Sequence, residues 1–583
     1  MAEPYSLKYE PDIPLMLRDG TITYVDVFRP DAPGKFPALL QRTPYDKTAA
    51  MSTSGSLDPI RAGKSGYAVV IQDVRGRFSS DGEFYTFVNE IDDGYDSVEW
   101  VAGQSWCTGK VGMYGPSYVG ATQWLAAASR PPSLVAIAPG VTASDYHEGW
   151  AWQGGAFELG FNLSWSIGAL SSANWDNLSR RLLLRPEQQD SLIEAKDDLM
   201  AGFRSLPMQD LPHLRGGLAP YYYDWLAHPE YDDYWRRVCI EEYHSDITIP
   251  AFNFGGWYDI FLGGTLRNYT RMSQMGATEE ARGGQRLVIG PWVHGGAPTN
   301  VSGEYGFGTR ASSLAIDVQE MTLRYYDYWL KGKDNGWADE RPVRVFVMGE
   351  NVWRHEDEWP LQRAQVSNYY LHSDGKANTL NGDGLLSPET PEEGPPDVYV
   401  YNPIDPVPTR GGGLCCDPAF LPSGAFDQRA IESRPDVLVY STPPLERPVE
   451  VTGPVQVTLH ASSSAADTDF TAKLVDVEPS GYSRNLADGI IRARYRQPRQ
   501  PASPIQPGQV YEYTIDLLAT SNLFKQGHRI RVEISSSNFP RFDRNTNTGE
   551  AIGSDAGFVS ALQTVYHTPE YPSHIKLPII PRD

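Results

Sequence analysis

The chain has 583 residues, more than one hydrophobic core usually supports, and we expect about two to four domains. Its 50 Lys and Arg residues against 73 Asp and Glu residues give a formal net charge of −23, which argues against nucleic acid or an anionic membrane surface as a partner. No apolar run approaches the roughly 18 residues that a membrane-spanning helix needs.

Short apolar strand patterns alternate with helical patterns along the first quarter of the chain. Residues 13–29 form two alternating runs around Asp19-Gly20, which predicts a β-hairpin with a two-residue turn. The predicted buried strands are 36–45, 67–76, 111–115 and 134–140, and the predicted helices are 90–104 and 118–129. This alternation is typical of an α/β sheet.

The pattern changes after Gly140. Residues 146–245 contain helical stretches such as 179–200 and many aromatic residues, which predicts a helical cap inserted into the sheet domain. Strand patterns return at 249–261 and 285–294 with a helix between them, and a long helix is predicted at 316–332.

An all-β texture begins near residue 342. Alternating runs such as PVRVFVMG (342–349) are separated by Gly, Pro, Asn and Asp turns, which is typical of a jelly roll or sandwich. The predicted domains are therefore a sheet domain in two parts, a helical cap, and a jelly-roll β-sandwich. Their predicted ranges are 1–145 and 246–354 for the sheet domain, 146–245 for the cap and 355–583 for the sandwich.

The cysteines and histidines give no sign of metal binding or of a disulfide framework. Four cysteines are too few for such a framework, and a bond between the neighbours Cys415 and Cys416 would be strained. Cys107 and Cys239 are predicted to be buried thiols. The N-terminus also lacks the basic and apolar regions of a signal peptide, so we expect a cytoplasmic protein without a bound metal.

The stretch KVGMYGPSYVGATQW (110–124) places Ser117 where a predicted strand turns into a predicted helix. In a nucleophile elbow, such a serine holds its hydroxyl above the sheet edge beside a free backbone N–H. The match to G-x-S-x-G is imperfect because Gly120 comes one place late. A tight turn without any catalytic role explains the same residues, so the motif alone leaves both interpretations open.

Serine is a weak nucleophile and needs a base oriented by a carboxylate. In α/β-hydrolase sheets, the acid and then the histidine follow the serine in the chain, each after a strand. Asp259 ends the predicted strand FNFGGWYD, and His294 ends LVIGPWVH. Taken singly, Asp259 is equally explained as a helix N-cap and His294 as a loop histidine, but the ordered triple with Ser117 predicts a catalytic triad.

Motifs along the whole chain resemble one family of serine hydrolases. The stretches RTPYDK (42–47), QDVRGRFSSDGEF (72–84), GPSYVG (115–120), GGWYDIF (255–261) and GPWVHG (290–295) are similar to signatures of the cocaine esterase and X-prolyl dipeptidyl peptidase family, closest to its bacterial cocaine esterase branch. DTDFTAKLVDV (467–477) and the stretch 518–545 resemble that family's jelly-roll domain. The family's own elbow has the form G-x-S-Y-x-G.

The resemblance implies an α/β-hydrolase domain with a cap and a jelly roll, no cofactor, and a homodimer. It implies that Ser117 is the nucleophile, His294 the base and Asp259 the orienting acid. The hydroxyl of Tyr45 and the backbone N–H of Tyr118 would form the oxyanion hole. Without the family, Tyr45 would be taken for a packed loop aromatic.

The resemblance also implies that Trp150, Trp165 and Phe261 line an acyl pocket, although from the sequence alone they would be core aromatics. An ester with a bulky, aromatic acyl group is therefore the expected small-molecule substrate. A non-enzymatic binding protein is disfavoured, because a decayed site should have lost at least one of the implied catalytic residues.

An alternative substrate class within the family carries a free α-amino group or a β-lactam. An X-prolyl dipeptidyl peptidase or an α-amino-acid ester hydrolase needs carboxylates near the acyl site, and a β-lactam acylase is a further variant. Residues 260–264 after Asp259 are all apolar or glycine, which argues against this class. Asp145, Glu148 and Glu158 are the remaining candidates for an ammonium-binding site.

Overall fold

A computed structural model describes residues 4–49 and 56–582 of the chain. Within these residues, the first half forms a ten-stranded sheet whose interior strands are parallel and whose two edges are antiparallel hairpins. From one edge to the other, the strands are Leu7–Met16, Ile22–Pro30, Ala68–Asp73, Phe36–Thr43, Cys107–Pro116, Leu134–Gly140, Phe252–Tyr258, Arg286–Val293, Val343–Val347 and Val352–Glu356.

The N-terminal hairpin forms as predicted, but its turn is longer. The backbone N–H of Leu17 donates to the carbonyl of Thr21 at 2.9 Å, so the loop contains the three residues 18–20 rather than two. Gly20 has φ 87°, a conformation that glycine adopts without steric cost. The extra residue, Arg18, is held by the carboxylate of Asp96, which accepts its backbone N–H at 2.8 Å.

Helices cover the first sheet. They are Pro59–Lys64, Glu90–Ala102, Tyr118–Ala128, Leu262–Met275, Glu279–Gly283, Ser313–Ile316 and Val318–Trp329. The helix Tyr118–Ala128 is buried along almost its whole length because it packs between the sheet and the helix Glu90–Ala102. A mostly apolar, small-residue sequence suits a helix that is covered on both sides.

The chain is mainly helical between the strands Leu134–Gly140 and Phe252–Tyr258. The helices there are Leu159–Trp165, the π-helix Ser166–Ser171, Trp175–Leu182, Pro186–Asp197, Leu199–Arg204, Pro220–Ala227 and Asp233–Arg236. The stretch 179–200 is not one continuous helix. It breaks at Leu183, which has φ 53°, and before Pro186, because proline disfavours helical backbone in the residue that precedes it.

A second sheet occupies most of the C-terminal part. In spatial order, the strands of this sheet are Asp397–Tyr401, Ala561–Tyr566, Val449–Ser463, His574–Ile580, Gln365–His372, Leu385–Ser387, Leu438–Ser441, Arg529–Ser535, Asp469–Val477 and Ser483–Arg492, with Tyr511–Phe524 paired to Val449–Ser463. Most of the run 342–349 does not join this sheet, and only its residue Met348 pairs with it, through a bridge to Asn522. The strand Val343–Val347 lies parallel to Arg286–Val293 and so extends the first sheet.

Short elements complete the described chain. Two small hairpins pair Trp152–Gln153 with Ala156–Phe157 and Val301–Ser302 with Tyr305–Gly306. A four-residue helix spans Arg429–Glu432, and short 3-10 turns span Ser172–Asn174, Met208–Asp210, Pro212–Leu214, Ile240–Glu242, His244–Asp246, Thr309–Ala311, Trp337–Asp339 and Ala493–Tyr495. Among the described residues, no helix has both the length and the apolar character needed to cross a membrane.

Candidate active site

Ser117 occupies the turn between the strand Cys107–Pro116 and the helix Tyr118–Ala128. Its backbone has φ 62° and ψ −130°, a region that residues other than glycine rarely adopt. The backbone N–H of Ser117 donates to the carbonyl of Gly140 at 2.9 Å, so the neighbouring strand fixes the turn. Strained backbone that is held by its surroundings is typical of functional sites.

Close packing explains the glycines on both sides of Ser117. A Cβ atom on Gly115, whose φ is 131°, would lie 2.2 Å from Val119. A Cβ atom on Gly120 would lie 2.8 Å from the side chain of Thr142 on the chain segment that follows the next strand. The helix therefore approaches the sheet at Gly120, which accounts for the late position of this glycine in the motif.

Three side chains form one hydrogen-bonded line. His294 Nε2 lies 3.1 Å from Ser117 Oγ, and His294 Nδ1 lies 2.9 Å from Asp259 Oδ2. The second oxygen of Asp259 accepts the backbone N–H of Phe261 at 2.6 Å, and the carboxylate is completely buried. The His294 side chain remains 13% exposed. The structure thus brings together the serine, histidine and aspartate that the sequence placed after separate strands.

The Tyr45 hydroxyl lies near the Ser117 side chain, and both residues line the same cavity. The Tyr45 hydroxyl accepts the indole N–H of Trp165 at 3.1 Å. Desolvation raises the pKa of Tyr45 to about 12, so the phenol stays protonated at neutral pH and keeps a proton to donate. This geometry differs from that of a loop aromatic that only packs against its neighbours.

The backbone N–H of Tyr118, rather than its side chain, lies at the Ser117 turn. Tyr118 is the first residue of a helix, where N–H groups have no partner within the helix and attract negative charge. Its hydroxyl points elsewhere, since it donates to Glu90 at 3.0 Å and accepts the N–H of Phe87 at 2.8 Å. The Tyr45 hydroxyl and the Tyr118 N–H therefore both belong to the immediate surroundings of Ser117.

Arg77 holds the loop that carries Tyr45, a role that no sequence pattern indicates. Its buried guanidinium donates to the carbonyl of Pro44 at 2.7 Å, and to those of Ala169 at 3.0 Å and Leu170 at 2.5 Å. The Tyr45 loop is thereby joined to the π-helix that follows Trp165. Arg77 lies within the motif QDVRGRFSSDGEF, but its distant carbonyl partners leave no local pattern.

A cavity of about 490 Å³ opens at Ser117 and His294, and Tyr45 and Trp165 form part of its wall. Other lining residues are small, apolar or uncharged, among them Val119, Val141, Ala169, Val293 and Leu421. Within the described part of the chain, no Asp, Glu, Lys or Arg side chain lines this cavity. The same part contains no cluster of three or more His, Cys, Asp or Glu residues suited to a metal ion.

The three predicted pocket aromatics do not take equivalent positions. Trp165 lies in the cavity wall, whereas Trp150 and Phe261 do not line the cavity. Trp150 stacks on Phe261 with ring centroids 4.3 Å apart and also contacts Trp165 edge to face at 5.3 Å. The Phe261 ring meets the ring of His294 edge to face at 5.3 Å. Trp150 and Phe261 thus support Trp165 and His294 from the protein interior.

The C-terminal part of the chain supplies one side of the cavity, which the sequence did not indicate. Cys415, Cys416 and Leu421 line it. From the sequence, a bond between the adjacent cysteines is expected to be strained, and the structure nevertheless joins Cys415 to Cys416. Cys107 and Cys239 are buried free thiols, as predicted.

The candidate ammonium-binding carboxylates lie outside the cavity lining and have partners elsewhere. Asp145 accepts a hydrogen bond from Arg499 at 3.1 Å, and Glu158 lies 3.6 Å from Arg541. Glu148 accepts the N–H of Gly154 at 3.1 Å. Burial raises the pKa values of Glu148 and Glu158 to about 7, so these two carboxyls bind protons readily inside the protein.

Two family models match consecutive parts of the chain. Residues 19–296 match the X-Pro dipeptidyl-peptidase (S15 family), and residues 335–576 match the X-Pro dipeptidyl-peptidase C-terminal non-catalytic domain. The chain is 42% identical to the cocaine esterase of Rhodococcus sp. (strain MB1 Bresler), with 97% of each chain covered. The chain belongs to this family of hydrolases. The resemblance inferred from its motifs is confirmed.

Two solved structures show the same architecture. An aminopeptidase from a marine sediment archaeon, Thaumarchaeota archaeon, is 26% identical, with 99% of this chain and 97% of that chain covered and a TM-score of 0.79. An α-amino acid ester hydrolase is 25% identical with the same coverage and TM-score. This chain therefore has an α/β-hydrolase-like N-terminal part followed by a C-terminal β-rich domain, as predicted.

The raised pKa of Glu148 makes stability depend on pH in a defined direction. Between about pH 4.5 and pH 7 the folded protein keeps a proton that the unfolded chain has released, so stability falls as the pH rises through this window. Glu148→Gln stays uncharged and keeps an oxygen that accepts the Gly154 N–H. We expect its melting temperature to fall less than that of the wild type between about pH 5 and pH 7.5.

Thermal unfolding of both proteins at the two pH values measures this difference. Glu393→Gln, in an exposed loop, is the matched control and should retain the wild-type pH dependence. An unchanged pH dependence in Glu148→Gln would show that the Glu148 carboxyl is already ionised in the folded protein at the lower pH.

Proposed function

We propose that the protein is a serine esterase that hydrolyses carboxylic esters with a bulky, aromatic acyl group through an acyl-enzyme intermediate. The observation that supports this most directly is the pair of hydrogen bonds that joins Ser117 to His294 and His294 to Asp259, at a cavity without charged lining residues. In this proposal, the helical segment 146–245 is a cap over the site, the C-terminal sheet is a jelly roll, and the enzyme is cytoplasmic.

Ser117, His294 and Asp259 act as nucleophile, base and orienting acid. Ser117 Oγ attacks the ester carbonyl while His294 Nε2 takes its proton, and Asp259 stabilises the imidazolium through Nδ1. His294 then gives the proton to the leaving alcohol, and an acyl-enzyme remains on Ser117. Water activated by His294 attacks the acyl group and releases the carboxylic acid, so the reaction needs no cofactor.

Two donors stabilise the negative charge that develops on the carbonyl oxygen. Tyr45 provides a hydroxyl whose raised pKa keeps it protonated, and Tyr118 provides a backbone N–H at a helix N-terminus. The hydrogen bonds of Arg77 fix the loop of Tyr45 against the cap, so the donor needs little reorganisation during the reaction. Trp165 reaches both the cavity and the Tyr45 hydroxyl.

The composition of the cavity favours one of the substrate classes. An aromatic acyl group would bury apolar area against Trp165 and the aliphatic wall. An ammonium group in the same place would lose water without gaining a carboxylate, since Asp145, Glu148 and Glu158 lie outside the lining. This argues against the dipeptidyl-peptidase and amino-ester hydrolase activities within the family.

Ser117→Ala should abolish ester hydrolysis and leave the fold intact, because neither His294 nor Asp259 can replace the serine hydroxyl in forming the acyl-enzyme. A phosphonate inhibitor followed by peptide mass spectrometry should locate the adduct on Ser117. Ser423→Ala, which removes another hydroxyl from the same cavity wall, is the control and should keep most of the activity. Turnover in Ser117→Ala, or an adduct on another residue, would refute the proposed nucleophile.

Tyr45→Phe removes one oxyanion donor and little volume. We expect kcat to fall by about 10²–10³ with a much smaller change in KM, the usual effect of losing one such donor. Tyr114→Phe is the matched control, because its buried hydroxyl has no hydrogen-bond partner among the described residues. Steady-state kinetics on one ester measure both variants, and near-normal turnover in Tyr45→Phe would exclude the tyrosine from catalysis.

Benzoyl-type esters should be hydrolysed with a kcat/KM at least about tenfold higher than that of aminoacyl-proline anilides, since one poorly paired charge costs upward of about 1.4 kcal/mol. Trp165→Ala should lower the kcat/KM for a benzoate ester more than for an acetate ester with the same leaving group. Trp175→Ala, outside the cavity lining, should leave that ratio unchanged. Faster cleavage of the anilides would overturn the esterase assignment.

A further inference from the structure

The bonded pair Cys415 and Cys416 is part of the wall of the cavity that contains Ser117. The two residues differ in exposure, because Cys415 is 4% exposed whereas Cys416 is exposed to solvent. One sulfur-bearing side chain is therefore held inside the protein, and its bonded neighbour is accessible from outside. None of the roles proposed above for the catalytic residues involves this pair.

The loop that carries the pair is fixed on both sides. Gly412 and Gly424 exchange two backbone hydrogen bonds of 2.7 and 2.9 Å. Gly413 lies so close to Asp259 that a Cβ atom on it would be 3.2 Å from the Asp259 carbonyl oxygen. After the pair, the carbonyl of Asp417 accepts the N–H of Leu421 at 2.7 Å. Because the chain is anchored on both sides of the pair, a change in the bonding of Cys415 and Cys416 alters the cavity wall locally.

The backbone of Cys416 has φ 82°, in the left-handed region that residues with a Cβ atom disfavour. The bond to Cys415 restrains the side chain of Cys416 in this conformation. If the bond is broken, Cys416 is free to return to ordinary backbone angles. The covalent separation of about 2 Å between the sulfur atoms then also increases to that of unbonded atoms.

The other two cysteines provide an internal comparison. Cys107 and Cys239 are buried and unbonded, and neither lines the cavity. Burial raises the pKa of the Cys107 thiol and raises that of Cys239 to about 12, which disfavours the reactive thiolate. Reagents that act on thiols or disulfides should therefore affect the cavity through residues 415 and 416.

We propose that the bond between Cys415 and Cys416 is a redox-controlled part of the substrate cavity, and that its reduction by a dithiol changes which acyl groups the site accepts. The proposal rests on the esterase function proposed above. Closed, the pair presents a compact, fixed wall to a bulky acyl group. Open, the two separate thiols occupy more room and move independently, so a bulky acyl group fits less well than a small one.

The chemistry is a two-electron thiol–disulfide exchange. A thiolate of the dithiol attacks Sγ of Cys416, the exposed residue of the pair. The bond to Cys415 breaks with its electron pair leaving on Cys415 Sγ, which takes a proton. The second thiolate of the reagent then attacks the reagent sulfur that is bonded to Cys416 Sγ. This step releases Cys416 as a thiolate, which is then protonated. The protein gains two thiols, and the dithiol becomes a cyclic disulfide.

Full-length protein treated with reduced or oxidised dithiothreitol tests the proposal. Alkylation and intact mass measure the state of the pair, and kcat/KM is measured for 4-nitrophenyl benzoate and 4-nitrophenyl acetate. We expect reduction to lower the benzoate-to-acetate ratio at least threefold and reoxidation to restore it. The double variant Cys415→Ser, Cys416→Ser should show the low ratio under both conditions, and Cys107→Ser, Cys239→Ser should respond like the wild type.

Two results would overturn the proposal. One is alkylation at Cys415 and Cys416 in the oxidised sample, which would show that no bond forms. The other is an unchanged ratio after the bond has been shown to open. Labelling of Ser117 by methanesulfonyl fluoride and by phenylmethanesulfonyl fluoride distinguishes failure of the redox proposal from failure of the esterase assignment. These reagents differ in size and need no ester turnover, so reduction should slow only the larger one.

Discussion

The carboxyl ends of neighbouring parallel strands meet at one edge of the first sheet, and the whole site depends on this constraint. Ser117, Asp259 and His294 each come directly after such a strand. Ser117 and His294 are 177 positions apart in the chain, yet their side chains lie within hydrogen-bonding distance. Gly140 ends the strand next to that of Ser117 and accepts its N–H, so the sheet also imposes the turn geometry.

Burial separates the charged groups of the protein from the reacting groups. The buried carboxyl groups of Asp145 and Glu158 lie beside Arg499 and Arg541 and outside the lining of the cavity. Removing a charge from water costs free energy unless an opposite charge pairs with it. The neighbouring arginines provide that pairing for these two carboxyl groups. The wall around Ser117 is left apolar and uncharged, which suits an aromatic acyl group better than an ammonium group.

Two distant parts of the chain build the cavity together. The helical segment contributes Trp165, whose indole N–H reaches the Tyr45 hydroxyl, and the β-rich domain contributes the loop with Cys415 and Cys416. Gly413 of that loop lies against the backbone of Asp259, so the β-rich domain also contacts the residue whose carboxylate is hydrogen-bonded to His294. In the proposed function, both parts therefore contribute to selection of the acyl group, whereas Ser117, Asp259 and His294 all follow strands of the first sheet.

The sequence by itself determined the local elements and the order of the reactive residues. Apolar runs and turn residues located the strands that precede Ser117, Asp259 and His294, because strand patterns and turn preferences are local properties. The same patterns gave 342–349 only an all-β texture, since a strand's pattern does not name its partner, and the structure pairs Val343–Val347 with Arg286–Val293. Only the tertiary structure decided that Arg77 holds the Tyr45 loop. Contacts between distant segments depend on packing, which leaves no periodic trace in the chain.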